Sequence, residues 1–451
     1  MREIGNRREL FVDGWLIERL EGATRVLHSP TPREVAIQFD APWEGPVSFY
    51  PVMLEVDGQY RTYYRGLYGD GKGEEVAAVA ISSDGIHWDR PHLGLIAWEG
   101  STDNNIIWQG PGSHNFTPFV DANPAASADQ RFKAVGRVKV NGRWGLAPFV
   151  SADGYRWRKL REELIITDGA FDSQNLVYWD TYRKHYVAFY RDFYKTQGET
   201  GLFEGIRGIK VATSPDFLHW TPGQWLDYGG APLEHFYTNA TVSYFRAPHL
   251  YLAFPKRFVP DRQVVPSHPA AGLSDAVFMS SRDGLHWDRS FLEAFVRPGR
   301  DLENWTERNI GVAWGILQTA PDELSLYWVE HYRHPTCRLR RGTLRLDGFV
   351  SVKAPYAGGE MVTHPLTFAG RELTVNYATS AVGSVQVELQ QADGTPVEGH
   401  TLAESIPLIG DEIEAVVRWQ GVSDVSALAG QPVRLRFVMK DADLYSLRFQ
   451  K

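Results

Sequence analysis

A short pattern that recurs along the chain limits the fold more than any other feature. It reads SSDGIHW at 82–88, SADGYRW at 151–157, TSPDFLHW at 213–220 and SSRDGLHW at 280–287. Its closing residues Trp88, Trp157, Trp220 and Trp287 stand 69, 63 and 67 residues apart, and a weaker copy, LRLDGF, ends at Phe349, 62 residues further on. Self-similarity at such a period marks a fold built from repeated supersecondary units. Asp-Gly tolerates positive φ, so each copy predicts a hairpin turn between two strands, with the aromatic residue packing between neighbouring sheets.

Two further series run in phase with the turns. QYRTYYR, QRFKAVGR, KHYVAFYR, HLYLAFPKR and LSLYWVEHYR are alternating, aromatic-rich strands that end on Arg65, Arg137, Arg191, Arg257 and Arg333. Before them come VSFYPVML, HNFTPFVD, DSQNLVYW, YTNATVSYF and ERNIGVAWGIL. Four of these carry an early asparagine (Asn115, Asn175, Asn239, Asn309), and Ser48 holds the matching place in the first. Each unit thus has an inner strand, an aromatic strand and a pair around the turn. Five units predict an all-β, five-bladed β-propeller over residues 1–348, with Glu9–Glu18 (ELFVDGWLIE) expected to lend the ring-closing strand. From 349 to 451 the turn motif is gone. Runs such as LTVNYA, SVQVELQ and VRLRFVM predict a C-terminal β-sandwich.

Composition excludes several functions. The chain of 451 residues has one cysteine, Cys337, so neither a disulfide framework nor a cysteine zinc cluster is available. A net charge of −8 argues against a nucleic-acid partner. No apolar run is long enough to span a membrane, and the N-terminus MREIGNRREL lacks a signal-like apolar stretch, so a cytoplasmic location is the default expectation. Nucleotide-binding glycine loops, HExxH and GxSxG are absent. The aromatic content of 13% fits a large β core or a surface for stacking sugar rings. Oligomeric state is not readable from these features.

Blade topology places the Asp-Gly turns on one face and gathers the other series at the opposite mouth. Inner-strand starts bring His114, Asn115, Asp172, Gln174, Asn175, Tyr237, Asn239, Glu307 and Arg308. Second-strand ends bring the arginines, with Asp192 after Arg191, and third-strand starts bring Glu74, Glu75, Glu204 and Asp275. Entries between blades add Asp40, Glu44 and Glu234. Phe116, Tyr178, Tyr237 and Trp305 are the aromatics expected at the mouth, and the long connections 192–204 and 257–275 are expected to wall it. The asparagines equally suit capping of inner strands, and the arginines equally suit pairing with acids between blades. Several acids converging with Arg, Asn and His is also the make-up of a glycosidase pocket, which needs one carboxylic acid and one carboxylate.

The blocks LFVDGWLIE, HNFTPFVDANP, FDSQNLVYWD, FYTNA and SRDGLHW resemble the five-bladed propeller glycosidases that include arabinanases, arabinofuranosidases, invertases and levanases, grouped in glycoside hydrolase families 32 and 43. The resemblance spans about residues 10–348 and implies an Asp on blade one as base or nucleophile, an orienting Asp on blade three and a Glu acid on a later blade. Asp172 in FDSQNLVYWD matches the blade-three position. Ser48 and Phe49 stand where the blade-one Asp is expected, and YTN stands at the blade-four site with Glu234 upstream. The expected catalytic set is therefore Asp172, Asp275, Glu307 and Asp192. The expected binding set is Arg65, Arg191, Arg257, Arg308, His114, Asn115, Gln174, Asn175, Tyr237, Asn239 and Glu44. Some related propellers hold an axial Ca²⁺, which oxygen ligands would suit; no metal or cofactor is expected here. The expected activity is an exo-acting glycoside hydrolase on an oligosaccharide with an anionic or furanose sugar, since arginine forks grip carboxylate and sulfate. The alternatives are a polysaccharide lyase, with Tyr237 or His114 as base, and a propeller that binds glycan or protein without catalysis.

Overall fold

The protein is described here by a computed structural model covering residues 1–67, 73–195, 198–199, 201 and 204–451. Regular structure among these residues is all strand, apart from short 3₁₀ turns. Three four-stranded antiparallel sheets come first. They are Phe49–Val56, Gln59–Leu67, Glu75–Ser82 and Ile106–Gln109; Thr117–Val120, Phe132–Val140, Arg143–Ser151 and Arg158–Lys159; and Leu176–Asp180, His185–Tyr194, Ile206–Ser214 and Gln224–Trp225. Two-residue turns with both φ positive, Asp57-Gly58 and Asn141-Gly142, close hairpins in the first two.

The fourth unit is broken in two. His235–Phe236, Lys256–Val259 and Leu273–Ala276 form one sheet, while Val242–Ser243, Tyr251–Ala253, Met279–Ser281 and Trp287–Asp288 form another. The break falls at Pro255, which has no N–H to give to the ladder. Phe254 N and Lys256 N on either side donate to Asn239 O and Thr238 O. The fifth sheet holds Gly311–Val312, Leu317–Ala320, Glu323–Glu330 and Arg338–Arg345, and Thr31–Gln38 pairs along its outer edge. The units touch in a closed circuit: first with second, second with third, third with fourth, fourth with fifth, and fifth with first.

The turns fasten this circuit. In each of the four full copies the serine hydroxyl accepts from the Asp N–H, and the Asp carboxylate accepts two backbone N–H groups further on; Asp153 Oδ1 takes those of Tyr155 and Arg156, both at 2.8 Å. The tryptophan indole then donates back across the turn, as Trp157 Nε1 does to Gly154 O at 3.0 Å. Each turn also meets the preceding unit. Arg61 Nη1 donates to Asp153 O at 2.7 Å, Tyr327 Oη donates to Gly85 O at 2.5 Å, and Phe189 packs edge-on against Trp287.

The remaining strands form one ten-stranded sheet around its own core, which includes Val375, Val387, Leu435, Phe437 and Trp419. Two long strands, Glu372–Gln391 and Val433–Gln450, carry most of its pairing. Four N-terminal strands also join it, among them Glu9–Leu10 against Ser446 and Leu447, and Ile17–Glu21 against Glu360–Thr363. This corrects the expectation for Glu9–Glu18: that segment pairs with the C-terminal sheet, and Thr31–Gln38 closes the ring. The hydrophobic pattern of ELFVDGWLIE marked a buried strand without specifying its partner. The weak fifth turn is the joint between the two parts. Asp347, fully buried, accepts from Tyr244 Oη at 2.7 Å, Arg246 Nε at 3.0 Å and Ser446 Oγ at 3.0 Å.

Asp153→Ala removes the acceptor of two backbone N–H groups and should cost about 1–3 kcal/mol. Urea unfolding should show a lower midpoint at unchanged slope; an unchanged midpoint would show that the turn does not hold its neighbours together.

Candidate functional site

The inner-strand starts do converge at one axial mouth, and Asp172 lies at its centre. Its Oδ1 is 2.8 Å from His114 Nε2, though without the alignment of a hydrogen bond, and 3.5 Å from Arg137 Nη1; its Oδ2 is 3.9 Å from Arg191 Nη2. The other imidazole nitrogen, His114 Nδ1, lies 2.7 Å from Glu75 Oε1 and 3.3 Å from Arg65 Nη1. Burial alone would raise the Asp172 pKa; His114, Arg191 and Arg137 outweigh it and hold the carboxyl well below its usual range. Glu75 is lowered in the same way, with His114 and Arg65 outweighing burial. Both are carboxylates at neutral pH.

Three tyrosines face this group. The Arg65 guanidinium sits 4.9 Å over the Tyr50 ring. Arg191, Arg207 and Lys256 lie 5.2, 5.6 and 5.2 Å from the Tyr237 ring centre, and Lys256 also lies 5.8 Å from that of Tyr332. Burial, with Tyr237 next to it, pushes the Tyr50 phenol well above its ordinary pKa. Lys256 is wholly buried and donates to Arg308 O; burial, with Arg308 alongside, pulls its ammonium well below the usual lysine range. Arg308 and Arg333 both pair with the buried Glu307, at 2.8 and 3.3 Å. Tyr50, Arg308 and Arg333 hold φ of 58°, 57° and 67°, a left-handed backbone that is sparsely populated outside glycine and tends to gather at functional sites.

The floor is built across the ring. Gln174, on the third unit, donates to Tyr50 O and Pro51 O of the first at 3.2 and 3.1 Å. Trp314 Nε1, on the fifth, donates to Thr241 O of the fourth at 2.8 Å. A cavity of about 600 Å³ lies at the other axial end, lined by Tyr178, Trp179, Phe245 and Trp314.

Other expected residues have structural partners. Asn115 donates to Phe171 O and Ser173 O while its Oδ1 accepts from Arg137 N; Asn175 donates to the same two carbonyls; Asn239 donates to Phe189 O. Glu44 is buried and taken up by Tyr64 Oη and by Arg90, away from the mouth. Strand alternation puts Asp192 on the face opposite Arg191, where it pairs with Lys210 at 2.6 Å. Arg257 forms a two-pronged pair with Asp275, at 2.9 and 2.6 Å, and also bonds Glu234; no contact joins this group to Asp172 among the described residues. Phe116 is buried against Trp157, and Tyr178 lines the far cavity. Of the expected wall 192–204, residues 196, 197, 200, 202 and 203 lie outside the described residues.

Sequence reasoning missed Tyr50, Tyr332, Lys256 and Arg207. Asn309 Oδ1 accepts from Tyr332 N as Asn115 Oδ1 does from Arg137 N, so Tyr332 occupies the slot that the fifth repeat assigned to Arg333. In the fourth unit the slot goes to Lys256. The PKR order was the available signal, because the proline shifts the inward position by one residue.

No family model matches this chain, and no curated protein matches it. Solved structures do. A glycoside hydrolase is 12% identical, covering 70% of this chain and 92% of that chain at a TM-score of 0.48. An N-acetylgalactosamine deacetylase from F. plautii, in complex with blood group B trisaccharide, is 11% identical over 72% and 96% of the two chains, at 0.47. A family 43 arabinoxylan arabinofuranohydrolase from Bacillus subtilis, in complex with cellotetraose, is 13% identical over 91% and 96%, at 0.42. Among the described residues no helix is long and apolar enough to cross a membrane, and no group of three or more His, Cys, Asp or Glu side chains is placed to hold a metal ion.

Because Asp172 is depressed in the folded state, its pairs contribute stability above the ordinary carboxylate pKa, and that contribution is lost as pH falls through the folded value. The wild-type protein should therefore lose stability more steeply than Asp172→Asn between about pH 5 and pH 2. Parallel curves in acid urea titrations would show that the ion pairs add nothing.

Proposed function

We propose that the five contacting units are the blades of a five-bladed β-propeller over about residues 31–348. The ten-stranded sheet is then a β-sandwich formed by the last hundred residues together with the N-terminal strands. The mouth is the active site of an exo-acting glycoside hydrolase for an anionic sugar. One observation carries this reading: an ionised Asp172 and three phenols ringed by Arg65, Arg137, Arg191, Arg207 and Arg308, in a chain of net charge −8. Local cation excess against the global charge fits an anionic ligand, and arginine forks suit carboxylate or sulfate.

The chemistry follows from the ionisation states. Asp172, held as carboxylate, stabilises the oxocarbenium-like transition state or attacks the anomeric carbon. Asp172 and Glu75 are both held ionised, so neither is the proton donor. His114, with a carboxylate within 2.8 Å of each ring nitrogen, is instead the group placed to protonate the leaving oxygen. Gln174 and Trp314, bonded across the ring, would floor the mouth, which suits a terminal sugar and hence exo-action.

A second reading is favoured by Tyr237. Arg191 and Arg207 flank its ring and would neutralise a uronate carboxylate, with the tyrosine hydroxyl as the base that β-elimination by a lyase requires.

On uronate- or sulfate-bearing oligosaccharides, Asp172→Asn should cut kcat at least about a hundredfold with the fold intact. Tyr237→Phe separates the two readings. A hydrolase keeps most of its turnover and releases saturated sugar, whereas a lyase loses it together with an ultraviolet-absorbing unsaturated product. Arg191→Ala should weaken anionic substrates more than neutral ones, and equal losses would count against an anionic-sugar pocket.

A further inference from the structure

A second cavity of about 440 Å³ lies between the fourth and fifth units. Arg262, Arg297, Ser274 and Trp305 line it, and the Arg257–Asp275 pair forms one wall. Arg262 and Arg297 are exposed and have no ion pair among the described residues, although the molecule pairs most of its other arginines. The Ser274 hydroxyl is buried, in a residue only 4% exposed, and has no hydrogen-bond partner. Trp305 is half-buried and anchors its indole through Nε1 to Gly299 O at 2.9 Å. Two free guanidiniums, an unmet hydroxyl and an anchored aromatic ring are together the elements of a site for an acidic sugar: ion pairs for the anionic group, a hydroxyl for a ring oxygen and a face for the C–H surface.

The cavity is also coupled to the mouth. Gly272 N donates to Arg262 O at 2.9 Å, and Gly272 O accepts from Arg308 N at 2.9 Å. A single residue therefore connects the backbone of Arg262 to that of Arg308, which lies at the mouth. We propose that this cavity is a second sugar subsite, which holds the carboxylate or sulfate of the next unit of an anionic oligosaccharide through Arg262 and Arg297 while that unit stacks on Trp305. It extends the reading of the mouth as an anionic-sugar site and makes the enzyme selective for chain length.

Isothermal titration of the full chain with a galacturonate monomer, a galacturonate tetramer and a sulfated chondroitin tetrasaccharide tests it. The Arg262→Ala/Arg297→Ala double variant should bind at least one tetramer about tenfold more weakly, or about 1.4 kcal/mol, and the monomer as wild type does. The tetramer that shows the loss identifies carboxylate or sulfate as the recognised group. Trp305→Ala should weaken the same tetramer and spare the monomer. Unchanged tetramer affinity in the double variant, an equal loss on the monomer, or a wild-type protein that binds neither tetramer overturns the subsite. A double-variant loss on a tetramer whose binding Arg191→Ala leaves unchanged keeps the side cavity and removes the mouth from the binding path.

Discussion

The site depends on the ladder between Thr31–Gln38 and Arg338–Arg345, because that ladder turns an open row of sheets into a ring. Tyr50 and Arg65 belong to the first unit, and Arg308 and Tyr332 to the fifth. Nothing in the sequence between them would hold these residues together if the row stayed open. The strand that supplies it lies before the first unit, so the fifth unit is completed by residues some three hundred positions upstream.

Given a closed ring, the turns set its dimensions. Each serine–aspartate turn satisfies its own backbone donors and touches the unit before it, so neighbouring units are fixed in angle as well as in contact. The third copy keeps this geometry with Phe217 at φ 72° where the others have glycine. The phenylalanine packs against Phe119 and Tyr186, which offsets the strain of a left-handed non-glycine backbone.

Much of this was legible in the sequence. Each full turn falls in one of the contacting sheets, and the in-phase asparagines and arginines mark strands whose ends bring polar side chains together. Asp172, His114, Arg65, Arg191, Arg308 and Tyr237 all lie there. Legibility ended wherever the strand period slipped. A bulge at Phe49–Val52 turns Tyr50 inward, Pro255 exchanges Lys256 for Arg257, and positive φ at His331 and Arg333 puts Tyr332 in the arginine slot. One residue of slip reverses the facing of a strand, and a repeat alignment does not record such slips. Glu44 and Asp192 differ for another reason. Their partners, Arg90 and Lys210, lie 46 and 18 residues away in sequence, and no local pattern pairs them.

The pairing of the first residues with the last bears on how the protein is made. Arg2–Gly5, Glu9–Leu10, Ile17–Glu21 and Thr24–Leu27 find their hydrogen-bond partners in strands that begin at or after Val350. During synthesis these four segments emerge before the strands that pair with them and stay unpaired until those strands leave the ribosome. The ring can assemble as its units appear, while these strand-forming segments wait for their partners. The early and late strands then zip into one sheet, and Asp347 is sealed beneath it. A chain cut short by a premature stop would keep its turns and its mouth residues but leave those four strands as bare edges, marking it for aggregation or proteolysis.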